Sequence, residues 1–206
     1  MDHATIIPDA EDRTIARWLG NQLGARQRVY PDRMAISLPG GSTPFPILAA
    51  MPKDQVDWSR IDVWPGDDRI VPEDHPASNV GRIRALLEPL GAHVVALEEG
   101  AQPPHFALAW LGMGLDGHIA SLFPNTDPQA DAGRAVIRLT PDPLPPEAPF
   151  DRLSLTIPAL VDTDQLLFVA RGEQKAALFR QAVAGAHDLP VARLLAAATC
   201  PVTCFT

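Results

Sequence analysis

The stretch from Phe106 to Pro124 constrains the fold of this chain more than any other. It opens with Phe-Ala-Leu-Ala-Trp-Leu, an uninterrupted apolar run suited to a strand buried on both faces. Gly112-Met-Gly-Leu-Asp-Gly-His-Ile-Ala-Ser-Leu-Phe-Pro124 follows without a break. Its glycines permit a tight, positive-φ path, and a carboxylate and an imidazole share the turn. An open α/β sheet presents its ligand at the C-terminal edge of such strands. Because an imidazole can move protons near neutral pH, the loop predicts an enzyme.

Periodicity along the rest of the chain agrees. Strands are expected at Arg33–Leu38, Ile61–Trp64, Ala92–Leu97, Ala135–Leu139, Arg152–Thr156, Gln165–Val169 and Val202–Phe205. Helical spacing marks Asp9–Leu23, Asn79–Leu87, Gln174–Val183 and Val191–Ala197. A further helix is expected from Pro44, capped by Ser42 or Thr43, and a short helical turn from His118 to Pro124. The proline-rich stretch Pro141–Pro149 reads as a surface connection. Alternating strands and helices imply a single-domain, Rossmann-like three-layer α/β/α fold with a mostly parallel sheet over residues 1–206. A chain of 206 residues is long enough to bury a continuous core.

Composition narrows the partners. A formal net charge of −8 argues against general binding to nucleic acid or to an anionic membrane surface. It still permits a phosphorylated metabolite wherever a few cations converge. No apolar run reaches a membrane span, and Met-Asp-His-Ala-Thr lacks the basic start of a secretory signal. A cytoplasmic protein is therefore expected. Cys200 and Cys204 would stand about 13 Å apart on one strand face, too far for a disulfide. They are expected as buried free thiols in a final strand, and no cysteine or histidine cluster has zinc-ligand spacing.

Four polar turns carry the chemistry. Pro39-Gly40-Gly41-Ser42-Thr43-Pro44 offers backbone N–H groups and hydroxyls at a helix start, which is an anion cradle or an ordinary capped turn. It lacks the Gly-Lys-Ser/Thr of a P-loop. Gly66-Asp67-Asp68-Arg69 is either an ion-paired turn or a place where acids aim a guanidinium at a phosphate or an oxyanion. Ser78 and Asn79 cap the next helix or approach the ligand. Gly112, Gly114 and Gly117 spell G-x-G-x-x-G, but a dinucleotide fingerprint belongs to the first strand–helix unit and a longer helix. In Arg171-Gly-Glu-Gln-Lys175, the ammonium faces water or a phosphate. His3, His75, His93, His105 and His187 lack surroundings comparable to those of His118.

In order along the chain, these segments resemble the 6-phosphogluconolactonase family. The matching stretches are Ser37–Pro44, Trp64–Pro72 with Ser78-Asn79, Leu111–Pro124, Arg152–Thr156 and Gly172–Lys175. The Gly-Met-Gly-x-Asp-Gly-His-x-Ala-Ser-Leu-Phe-Pro element is the specific one. The resemblance implies the fold of glucosamine-6-phosphate deaminases and ribose-5-phosphate isomerases. It also implies hydrolysis of 6-phospho-D-glucono-1,5-lactone without metal or other cofactor, by a monomer or homodimer. The sequence departs from the family at Asp68, where a glutamate is usual, in a short 97–106 segment, and in stopping at Thr206 without the usual final helix.

On this reading His118 is the general base, Asp116 orients it or simply stabilises the turn, and Arg69 serves the oxyanion or the phosphate. Gly40, Gly41, Ser42, Thr43, Asp67, Gly114 and Lys175 hold the substrate. Ser121 is a poor nucleophile, because it lacks the strained Gly-x-Ser-x-Gly elbow. The competing expectations are a sugar-phosphate isomerase or deaminase, and a silent sugar-phosphate-binding protein.

Overall fold

The computed structural model describes residues 4–52, 54–144 and 149–206. His3 and the 145–148 part of the proline-rich stretch lie outside the described residues. The chain runs β1 (Ala4–Ile7), α1 (Asp12–Val29), β2 (Met34–Leu38), α2 (Pro44–Ala49), β3 (Ile61–Pro65), β4 (Asp67–Arg69) and α3 (Asn79–Leu87). It continues through β5 (His93–Val94), β6 (Phe106–Leu111), β7 (Val136–Leu139), β8 (Arg152–Leu155) and α4 (Ile157–Val161). Then come β9 (Leu166–Val169), α5 (Glu173–Val183), α6 (Pro190–Ala197) and β10 (Val202–Phe205).

Seven strands form one parallel sheet in the order β1-β10-β9-β6-β2-β3-β5. Period-two alternation sends each strand's side chains into two separate layers. Leu167 and Val169 of β9 join Leu108 and Trp110 of β6 beneath α1, α2 and α3. Leu166 and Phe168 join Phe106, Ala109 and Leu111 on the other face, beneath α4, α5 and α6. The helices obey their own period: Ile15, Ala16, Leu19 and Leu23 of α1 are all buried. The result is the expected three-layer α/β/α arrangement. Among the described residues no helix is long and apolar enough to cross a membrane.

β7 and β8 depart from expectation by leaving this sheet. With β4 they form a separate antiparallel sheet, β4-β8-β7. Their half-polar patterns, Val-Ile-Arg-Leu and Arg-Leu-Ser-Leu, suit strands with one face toward solvent or a cavity rather than a doubly covered sheet. Gly66 joins the two sheets: its N–H donates to Leu38 O (3.0 Å) and its carbonyl accepts from Leu155 N–H (2.9 Å).

Three local expectations need correction. Residues 118–123 form no helical turn. Gly117 (φ 79°) and Ala120 (φ 48°) take left-handed backbone, and the bridges Met113–Ile119 and Ile119–Leu122 fold the loop back on itself. Thr43 occupies the N-cap of α2, but no side chain caps that helix. Cys200 and Cys204 are both buried free thiols, yet only Cys204 lies within β10. Burial pushes the Cys204 thiol up to about 12.

His93 and His105 also prove to have acidic neighbours. His93 Nδ1 lies 2.9 Å from Asp62, and His105 sits between Asp162 (2.6 Å) and Asp164 (3.1 Å). Burial works against protonation of His105, but hydrogen bonds to the two aspartates outweigh it and raise its pKa. His105 precedes β6 and His118 follows it, so the strand's length, about 20 Å, separates them. An aspartate partner does not distinguish His118; its end of the strand does.

Candidate active site

β2 and β6 are parallel neighbours whose onward connections run in opposite directions, β2 toward β3 and β6 toward β9. Such a switch point opens a crevice at the C-terminal strand edge. The cavity found there has a volume of about 270 Å³. All four polar turns reach it: 39–44 after β2, Asp67 and Arg69 after β3, Gly112, Met113, Gly114 and His118 after β6, and Lys175 after β9.

The loop after β6 is shaped around one pair of side chains. His118 Nδ1 lies 2.6 Å from Asp116 Oδ1, and the same oxygen accepts the His118 backbone N–H at 3.2 Å. A carboxylate can only accept, so Nδ1 carries a proton, and in the neutral form of the ring the lone pair lies at Nε2. Gly114 makes the pairing possible. A Cβ there would stand 2.2 Å from His118 Nδ1 and 2.5 Å from Asp116 Oδ1. Gly114 N–H donates to His118 O (2.9 Å) and its carbonyl accepts from Gly117 N–H (3.1 Å), which closes the loop.

Gly40 is required for a different close approach: a Cβ there would fall 1.9 Å from Asn79 Cγ. Gly41 meets nothing within 4 Å, so its outer side opens to the cavity. Asn79 in turn donates Nδ2–H to Asp67 O (2.9 Å) and Asp67 Oδ1 (3.3 Å), and its Oδ1 accepts from Arg69 Nη1 at 3.4 Å.

Neither Asp67 nor Asp68 contacts the Arg69 guanidinium, contrary to both sequence readings of that turn. Arg69 Nη1 is held by Ala77 O (2.8 Å). Asp68 accepts the backbone N–H groups of Asn79 (2.6 Å) and Val80 (3.1 Å), tying β4 to the first turn of α3. A side chain one methylene longer than Asp68 would have to fold back to make those bonds. Burial raises the Asp68 pKa against the pull of these donors. Ser78 caps α3, as expected, through Oγ to Gly81 N–H (3.0 Å).

Lys175 stands in the first turn of α5, half-buried at the cavity, and forms no ion pair among the described residues. Nothing in the local sequence marks Arg152 as a site residue. It is 4% exposed, lines the cavity, and is the cross-strand partner of Arg69 in the β4–β8 ladder. The sequence offers Asn79 only as a cap or a ligand contact. Among the described residues, no three His, Cys, Asp or Glu side chains converge as a metal would require.

Ser121 is wholly buried and donates its hydroxyl to Asp67 Oδ2 at 2.6 Å. Its hydroxyl is thus committed to Asp67 and turned away from nucleophilic work. Ser121→Ala removes a hydrogen bond to a buried carboxylate and is expected to cost about 1.5–3 kcal/mol. A urea unfolding curve with an unchanged midpoint would contradict that bond.

The profile described as Glucosamine-6-phosphate isomerases/6-phosphogluconolactonase matches residues 9–100 and 88–202, nearly the whole chain. The chain belongs to this family. Among its curated relatives, a 6-phosphogluconolactonase of Streptomyces coelicolor is 31% identical over 191 aligned residues, covering 75% of this chain and 72% of the relative. One of Haemophilus influenzae is 34% identical over 171, covering 71% and 72%. In three dimensions the chain is similar to a 6-phosphogluconolactonase of Shewanella baltica, with a TM-score of 0.81 over 98% of this chain and 97% of the other. At 23% identity that likeness speaks for the fold alone. The short segment noted as a family departure has no helix between Val94 and Phe106.

Proposed function

We propose that this chain hydrolyses 6-phospho-D-glucono-1,5-lactone to 6-phospho-D-gluconate, with His118 as general base. One observation carries the reading. A histidine with Nδ1 engaged by Asp116 shares a single cavity with Lys175, Arg69, Arg152 and the open glycine turn. The names of its relatives supply the substrate class.

His118 Nε2 takes a proton from water as the water oxygen bonds to the lactone carbonyl carbon, and the carbonyl π electrons move onto oxygen. Loop N–H groups or an arginine stabilise that oxyanion. When the intermediate collapses, the bond from carbon to ring oxygen breaks and the imidazolium returns its proton to that oxygen. The product is a hydroxy acid, which gives its carboxyl proton to solvent. A lactone is an activated ester, so the chemistry needs neither a covalent nucleophile nor a metal. Lys175, with Gly41, Ser42 and Thr43, holds the remote phosphate and fixes the ring relative to His118. Asp67, bonded to Ser121 and Asn79, is left with few acceptor sites for moving a substrate proton, which disfavours isomerase or deaminase chemistry.

The test is product analysis with 6-phosphogluconolactone and glucosamine 6-phosphate, each against its uncatalysed background. Accelerated lactone opening without ammonia release supports the proposal. Ammonia release, or binding without turnover, contradicts it. Lys175→Ala should raise KM for the phosphorylated lactone roughly ten- to a hundredfold, the worth of a charge-assisted hydrogen bond. It should leave hydrolysis of unphosphorylated gluconolactone unchanged. An equal effect on both lactones would remove the phosphate role.

A further inference from the structure

Phe123, just beyond the glycine loop, is placed between two cavity side chains. Its ring centroid is 4.6 Å from that of His118, tilted by 36°, and 5.4 Å from Arg152 Cζ. Its backbone is pinned. The Phe123 carbonyl accepts from Thr126 N–H (3.0 Å) and Thr126 Oγ1 (2.8 Å), and the following proline holds Phe123 extended. An apolar ring half-buried beside a proton-transferring imidazole does more than fill space. Its π face is negative and attracts a cation far more than a neutral group.

We infer that Phe123 is a positioning residue for the hydrolysis proposed above: it fixes the His118 ring against Asp116 and stabilises the imidazolium formed when water gives up its proton. The inference rests on the His118 reading. The imidazole is neutral when substrate binds and cationic in the transition state, so the ring's help appears in kcat rather than KM. The other charged groups around the site are Asp116 on the same loop and Asp67, Arg69, Arg152 and Lys175 on the other cavity walls. Replacing Phe123 changes none of their charges but also takes the ring away from Arg152, and the His118→Ala background separates that contact from the one with His118.

The test compares wild type, Phe123→Tyr and Phe123→Met, each with and without His118→Ala, on 6-phosphogluconolactone. Methionine keeps apolar volume without a π face, and Phe123→Leu replaces it should the methionine variant fail to fold. Phe123→Met should lower kcat roughly three- to thirtyfold, the range of a cation–π contact, with KM within about twofold. The acidic limb of its kcat/KM profile should move to lower pH, because the imidazolium is no longer favoured. Phe123→Tyr should restore both rate and profile.

In the His118→Ala background, Phe123→Met should add no further loss. A methionine enzyme with wild-type kcat and pH profile overturns the inference, as does an equal loss in both backgrounds. Should wild type fail to hydrolyse the lactone, or His118→Ala keep the full rate, the underlying hydrolysis reading fails first and takes this inference with it.

Discussion

His118→Ala is expected to lower kcat for 6-phosphogluconolactone roughly 10²- to 10⁴-fold, the usual contribution of a positioned general base. KM should change little, since the phosphate is gripped by other residues. The fold should survive, because the His118 side chain is about one-third exposed and its ring nitrogens bond only Asp116 among the described residues. A thermal midpoint close to wild type would confirm that activity rather than structure was lost. The lactone opens slowly by itself, so the variant must be compared with a no-enzyme control. A folded His118→Ala protein with undiminished kcat would leave no role for the imidazole.

Gly114→Ala should be almost as damaging, although it removes no functional group. The added methyl would stand 2.2 Å from His118 Nδ1 and 2.5 Å from Asp116 Oδ1, far inside van der Waals contact. Either the histidine swings away from its aspartate or the loop shifts, and each outcome misplaces Nε2. Displacements of about 1 Å in a catalytic group can cost on the order of a hundredfold. We therefore expect kcat to fall at least that far, with stability reduced much less than activity. Gly41→Ala is the matched control: nothing lies within 4 Å of its Cβ position, so kcat should hold and any effect should fall on KM. A Gly114→Ala enzyme with wild-type kcat would show that the His118–Asp116 pairing is dispensable.

Much of the architecture was legible because local patterns and tertiary burial agree. Asn79–Leu87, Phe106–Leu111 and Val202–Phe205 form the expected elements with the expected ends. Each is apolar on the face or faces that the fold covers. β1 is not legible because Ala-Thr-Ile-Ile takes its place only by pairing with β10, nearly two hundred positions away. β4 read as a turn, since Asp-Asp-Arg has no strand propensity. Its conformation comes from pairing with β8 and from the helix N–H groups that Asp68 accepts.

The site was legible at its glycines and its histidine, where backbone demands are local. Arg152 was not, because its place at the cavity, opposite Arg69, comes from a ladder that no periodicity reveals. The same holds for Asn79, whose contacts to Asp67 and Arg69 depend on Gly40 leaving room. Phe123 sits inside the recognised motif, yet only coordinates show which side chains its ring touches.

A crystal structure with 6-phosphogluconate bound would test the central claim most directly. The account predicts the phosphate against Gly41–Thr43 and Lys175, with the carboxylate carbon, the former lactone carbonyl, near His118 Nε2 and one of its oxygens within about 3 Å. A product lying the other way round, with phosphate at His118 and carboxylate at Lys175, or bound outside this cavity, would contradict it.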